Sequence, residues 1–142
     1  MKSLRFLRTL STFAAVCGLA SGPAHADEVF TTLDVPGAFH TRPFVIPPNG
    51  DVAGLYTDAD RIVHGFVFDG ATFTTIDVPA AVGTNVVGMN PQGDLVGWYQ
   101  SEPIPGLVRG YLLSGGEWTW IDVPGASRTA ASGINARGDI VG

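Results

Sequence analysis

The chain has one cysteine, Cys17, and one lysine, Lys2, among its 142 residues. Both lie in the first 26 positions. From Asp27 onward there is therefore no thiol for a disulfide or a cysteine–zinc site. The positive charge there comes from five arginines facing thirteen acids, a net of −8. That balance argues against a nucleic-acid binder, which needs clustered positive charge, and against attachment to an anionic membrane surface. His40 and His64 are the only histidines in this part. With no His-x-x-x-His spacing and no cysteine partner, they do not spell a transition-metal site. A Gly-x-Ser-x-Gly elbow and a Walker-type loop are absent as well, so no motif activates a nucleophile or cradles phosphate. No stretch keeps a helical period.

What the first 26 residues do have is the layout of a secretory signal peptide. Lys2, Arg5 and Arg8 form a positive start, Leu10 to Ala20 a short apolar run, and Ala24-His25-Ala26 a small-x-small cleavage pattern. The apolar run falls short of the ~20 residues that a membrane span needs. Ala14-Ala15-Val16 before Cys17 is a poor match to a lipoprotein signal. The expectation is cleavage after Ala26 and export to the periplasm or the cell exterior, with no membrane attachment afterwards.

Asp27–Gly142 is rich in glycine and proline, with short runs of Val, Ile, Thr, Phe and Tyr between them. This predicts short strands joined by tight turns, an all-β fold. The runs also repeat. Thr31-Thr32-Leu33-Asp34-Val35-Pro36 precedes Gly50-Asp51-Val52-Ala53-Gly54. Thr74-Thr75-Ile76-Asp77-Val78-Pro79 precedes Gly93-Asp94-Leu95-Val96-Gly97, and Thr119-Trp120-Ile121-Asp122-Val123-Pro124 precedes Gly138-Asp139-Ile140-Val141-Gly142. The copies are taken as about 27–62, 63–107 and 108–142. The middle one parses into strands 64–68, 72–78, 84–89 and 94–100, the second of them with equivalents at Phe30–Val35 and Trp118–Val123, and with Asp69-Gly70 as a two-residue hairpin turn and Asn90-Pro91-Gln92-Gly93 as a β-turn. Four strands in about 44 residues is the arithmetic of a propeller blade. About 2.6 blades do not close a ring, since propellers use typically four or more. The expectation is a piece of a longer repeat protein, with self-association through open strand edges as the rival.

Trp120-Ile121-Asp122-Val123-Pro124-Gly125-Ala126, Gly133-Ile134-Asn135-Ala136-Arg137-Gly138-Asp139-Ile140-Val141-Gly142 and His64-Gly65-Phe66 together resemble the HAF-type extracellular repeat family of bacteria. The resemblance covers nearly all of Asp27–Gly142 and implies an exported, β-rich, propeller-like protein. Two places depart from the pattern. Val45-Ile46-Pro47 stands where Gly-Ile/Met-Asn is expected, and Arg109-Gly110-Tyr111 stands where His-Gly-Phe is expected. Neither the Asn nor the His therefore reads as a required catalytic group.

The candidate residues are those of the repeat signature: Asp34, Asp77 and Asp122; Pro36, Pro79 and Pro124; Asn90 and Asn135; and Gly50, Gly93 and Gly138. An Asp just before Val-Pro is expected to hydrogen-bond the backbone of the turn that follows, and the same reasoning covers Asp51, Asp94 and Asp139. Asp58 and Asp60 form the best local calcium candidate, but they lack the Asx-Gly and distant Glu of an EF-hand loop. No catalytic residue, cofactor or resident metal is assigned. Arg137-Gly138-Asp139 spells an adhesion tripeptide, yet it aligns with Gln92-Gly93-Asp94 and is explained by the turn. Trp98, Tyr99, Trp118 and Trp120 are either packing residues or stacking platforms for a glycan, with packing the expected role. The function expected is a non-catalytic structural or partner-binding module. The alternatives are a glycan-binding propeller and a hydrolase or lyase whose site requires further repeats.

Overall fold

The computed structural model describes residues 30–101 and 106–142. The expected signal segment at 1–26 lies outside them, as do residues 102–105. Thr31–Gly142 forms one compact unit.

The fold is all-β. Among the described residues ten strands follow one another: β1 (His40–Val45), β2 (Val52–Thr57), β3 (Val63–Phe68), β4 (Phe73–Ile76), β5 (Ala81–Met89), β6 (Leu95–Ser101), β7 (Val108–Ser114), β8 (Glu117–Ile121), β9 (Gly133–Ile134) and β10 (Ile140–Val141). The first eight make one mixed sheet, and β9 and β10 form a separate two-stranded antiparallel ribbon. Every pairing within the larger sheet is antiparallel except one parallel bridge, Val63 to Gly83, where β3 meets β5. That bridge joins two antiparallel meanders, β1–β4 (the first unit) and β5–β8 (the second unit). A matching parallel bridge, Val108 to Arg128, leads from β7 towards the ribbon.

The strands of the middle copy sit where the alternation of residues places them, but the pairing divides them differently. β4 pairs with β3 and not with β5, so the step from Val78 to Ala81 is the passage between units. Two local expectations need correction. Thr31–Val35 is not a strand. Its equivalents β4 and β8 lie against β3 and β7, the strands carrying His64-Gly65-Phe66 and Arg109-Gly110-Tyr111. No such strand flanks Thr31–Val35 among the described residues, and a lone extended segment has no ladder to join. Asp69-Gly70 is not a two-residue turn either. The connection runs over 69–72, and the Asp69 carboxylate accepts the amides of Thr72 (2.7 Å) and Ala71 (2.9 Å). These two bonds, the Thr72 one first, hold its pKa below the ordinary carboxylate value. The two-residue turn belongs to the second unit, where Gly115 and Gly116 both take positive φ between the paired Ser114 and Glu117.

The core lies between the units. Ala53 and Val78 from one side, and Val86, Met89, Leu95 and Tyr111 from the other, form one buried cluster, with Val67, Ile76 and Trp118 packed against it. Each such side chain contributes roughly 1.5–3 kcal/mol relative to exposure. Tyr111 is fully buried, and its hydroxyl donates to the Asn85 carbonyl at 3.1 Å. Phe66 holds the equivalent position in the first unit and is fully buried too. The last glycine of each Gly-Asp-x-x-Gly copy explains itself here. A Cβ on Gly54, Gly97 or Gly142 would collide with the carbonyl oxygen of Arg42, Asn85 or Ala130 respectively, so the motif ends where two backbones approach too closely for a side chain.

Candidate functional site

Each Val-Pro segment is locked by the same three elements. Val35-Pro36-Gly37-Ala38, Val78-Pro79-Ala80-Ala81 and Val123-Pro124-Gly125-Ala126 are closed by amide-to-carbonyl bonds of 3.0, 3.1 and 3.0 Å. Proline supplies its fixed φ and the next residue takes φ of 80°, 61° and 82°, as a type II turn requires. A threonine six residues beyond the valine then accepts the valine amide: Thr41 at 3.0 Å, Thr84 at 2.9 Å and Thr129 at 3.1 Å. The prolines thus stand where expected. The aspartates do not do what was expected of them.

Asp77 and Asp122 reach across to the neighbouring strand, and Asp122 Oδ1 also accepts from the Thr129 hydroxyl at 3.4 Å. Asp77 meets His64 Nδ1 with both carboxylate oxygens at 2.9 Å, and Asp122 accepts from Arg109 Nη1 at 2.5 Å. The register places these partners opposite one another, one step beyond the Gly65–Ile76 and Gly110–Ile121 pairs. The threonine oxygen, not the aspartate, accepts the valine amide, so the carboxylate can meet a cation on the neighbouring strand. Arg109, which departs from the His-Gly-Phe pattern, preserves the pairing. No strand pairs with the segment around Asp34 among the described residues, and no such partner faces it.

In the first unit the imidazole of His64 is held from both sides. His64 Nε2 lies 3.3 Å from Asp58 Oδ2, and the Tyr56 ring stacks on the imidazole at 4.9 Å between centroids. The Tyr56 hydroxyl pairs with Thr75 Oγ1 at 3.0 Å. Burial is the largest single influence on the imidazole and pulls its pKa down. The hydrogen bonds and charges of Asp77 and Asp58 outweigh it, so the net shift is upward from 6.5. Asp58 moves the other way, chiefly because it accepts the Ile62 amide at 2.8 Å and also because it faces His64.

This arrangement revises the calcium reading of Asp58 and Asp60. Asp58 closes its own loop and faces the imidazole, and Asp60 is exposed. Among the described residues no three His, Cys, Asp or Glu side chains converge as a metal centre would need.

The remaining signature residues belong to the turns. Asn90 is buried; its side-chain oxygen accepts the Gln92 and Asp94 amides at 3.0 and 2.9 Å, and its amide donates to Asp94 at 2.7 Å. Asn135 repeats this with Arg137 and Asp139. Gly50, Gly93 and Gly138 take φ of 91°, 89° and 85°. Asp51 is held by Asn49 at 2.7 Å. In the adhesion tripeptide, Arg137 bonds its own Asp139, so the two charges face each other inside the turn.

The tryptophans divide. Trp118 packs edge-on against buried Tyr111 at 5.1 Å. Trp120 is 50% exposed, lying near-parallel to Trp118 (6.1 Å) and tilted against Tyr99 (5.2 Å). Packing accounts for the first and not for the second. A groove of about 550 Å³ runs beside the ribbon between Ile121, Val123 and Ile140; Arg128 is the one charged group in its wall. Thr129 also lines it, but its hydroxyl is committed to the Val123 amide.

Sequence reasoning missed the threonine lock and the role of Asp58. The first left a signal, since Thr41, Thr84 and Thr129 recur at the spacing of the copies. The second left none, because Ser101 stands at the matching place in the second unit. Comparison with known proteins gives no match to a family model, a curated protein or a solved structure.

Proposed function

We propose that this chain is an exported, non-catalytic repeat module of the HAF type, with propeller-like stacking of its four-stranded units and a role in binding or scaffolding. The observation that carries this reading is the recurrence of the passage lock and of the cation–carboxylate pair. Groups that could act as acid, base or ligand are used again in the next unit in the same way. A catalytic constellation is ordinarily assembled once, with its base left open to substrate. Here both imidazole nitrogens of His64 face carboxylates, so neither is open to take a proton from a substrate. The −8 charge and the signal-like start support life outside the cytoplasm, away from nucleic acid.

Two measurements test the reading. Amino-terminal sequencing of the exported protein is expected to begin at Asp27. A screen for turnover of polysaccharides and peptides is expected to stay at background. Turnover lost in Asp77→Asn or Asp122→Asn, with the unfolding midpoint unchanged, would make the protein an enzyme.

A further inference from the structure

We infer that the face of the second unit around Trp120 is a binding site for a neutral pyranose oligosaccharide. The inference rests on the non-catalytic binding role proposed above and names its ligand class.

Tyr99, Arg109, Trp118, Trp120 and Asp122 share one face of the second unit. Tyr99 is the ladder partner of Arg109, and Arg109 stands one step beyond the Gly110–Ile121 pair, opposite Asp122. The indole of Trp120 shows half its surface to solvent on β8, a strand with a partner on one side only among the described residues. An aromatic ring this large is normally retained for packing, and here packing is already provided by Trp118 on Tyr111. The equivalent position in the first unit is Thr75, so the repeat does not require an indole there.

What lies beside the ring gives the chemistry. Arg109 and Asp122, each with about 39% of its side chain exposed, present a guanidinium edge and a carboxylate edge within a few ångströms of one another. A pyranose has one apolar C–H face and a rim of hydroxyls that both donate and accept. The indole covers the first; the guanidinium donates and the carboxylate accepts at the second. Trp118 stacks near-parallel to Trp120 and Tyr99 tilts against it, so the exposed indole is held in place by two aromatic neighbours as a platform for one residue of a sugar chain. Charge selects among sugars. The guanidinium is already neutralised by Asp122, and the chain carries a net −8 from Asp27 onward, so an anionic uronate is repelled while a neutral hexose is not.

The test is titration of the exported protein with hexasaccharides of β-1,4-glucan, β-1,4-mannan and β-1,4-N-acetylglucosamine. Oligogalacturonate of equal length is run beside them. Binding is read by tryptophan fluorescence and calorimetry. At least one neutral hexasaccharide is expected to bind with Kd in the range of about 0.1–1 mM, as a shallow open face allows, and the uronate at least tenfold more weakly. Trp120→Thr is expected to weaken binding at least tenfold and Asp122→Asn several-fold, with both variants keeping the parent's far-ultraviolet spectrum. Trp118→Phe, which keeps an aromatic ring against Tyr111, separates loss of the support beneath Trp120 from loss of the fold. Failure of all three neutral sugars to bind folded protein overturns the inference and leaves the non-catalytic reading intact. Binding unchanged in Trp120→Thr overturns it too, as does a fluorescence change that follows protein concentration instead of sugar. Release of reducing ends from a bound sugar overturns the non-catalytic reading and not the site.

Discussion

The two meanders solve one electrostatic problem with different cations. In the first, His64 sits between Asp58 and Asp77 with Tyr56 stacked on it; in the second, Arg109 faces Asp122 alone, and Tyr99 leans on Trp120. The constant element is the aspartate before Val-Pro. An imidazole is short and can shed its charge, and a second carboxylate favours its protonated form. A guanidinium is always charged and needs no such help. Ser101 stands where Asp58 would be. The comparison teaches that the two units share a basic residue facing a carboxylate at this place and differ in which basic residue supplies it.

The largest effect expected in breaking this symmetry is steric. Gly97→Ala drives a methyl into the Asn85 carbonyl and crowds the Tyr111 hydroxyl, 3.0 Å from the added carbon. Neither backbone nor buried ring can move cheaply, and the cost is expected to be at least about 3 kcal/mol by urea denaturation. Gly54→Ala makes the matching collision with Arg42, but β1 is an edge strand and can slide outward. It is expected to cost less. Equal costs would mean that β1 is held as firmly as β5.

Second in size is the threonine lock. Thr84→Val keeps the shape and removes the acceptor for the Val78 amide, leaving a buried donor unpaired at a site with 1% exposure. A loss of about 1–3 kcal/mol is expected. Thr129 has 9% exposure and Thr41 is only half-buried, so water can replace the hydroxyl more easily there. Unfolding midpoints should rank the valine variants Thr84, Thr129, Thr41, from most to least destabilised.

These two sites also show what was legible beforehand. Strand positions followed from alternation of β-branched and aromatic residues, and the passages from Val-Pro-Gly-Ala, because each is dictated within a few residues. The expected strand at Thr31–Val35 failed since a strand exists only if another lies beside it, which its own composition does not report. The role of Asp77 was misread for a related reason. A carboxylate next to a turn has a local acceptor role in prospect, whereas its actual partner, His64, comes into reach only once β3 and β4 pair. The exposure of Trp120 was likewise unreadable, because an indole at a repeat position looks the same whether a neighbour covers it or not. Local chemistry was visible; pairing across strands was not.

The pH response sharpens the comparison further. The His64 pKa is raised on folding, so its contribution is complete below 6.5 and fades as pH rises through the folded value. Asp58 is lowered, so its contribution is present above 3.8 and fades as pH falls through its own folded value. Stability from this cluster should therefore be greatest between those limits. His64 is partly open to solvent, so screening keeps the change above pH 6.5 below about 1 kcal/mol. His64→Arg, which gives the first unit the cation of the second, should flatten the urea midpoint above pH 6.5. A slope that persists in that variant would assign the response elsewhere.

The smallest expected effect lies at the passage between the units, where the three turns differ by one methyl group. Gly37 and Gly125 take φ near 80° without penalty, whereas Ala80 takes 61°, a left-handed conformation that strains any residue with a Cβ. The alanine limits the unfolded chain in partial compensation. Ala80→Gly should therefore stabilise by only a few tenths to about 1 kcal/mol. The reverse change at Gly125 should destabilise by a similar amount, since a Cβ there meets nothing within 4 Å and only the backbone strain counts. Opposite signs of comparable size from paired urea titrations would show that the turn sets its own energy. A loss on Ala80→Gly would mean that the methyl carries a packing contact between the units that outweighs the strain.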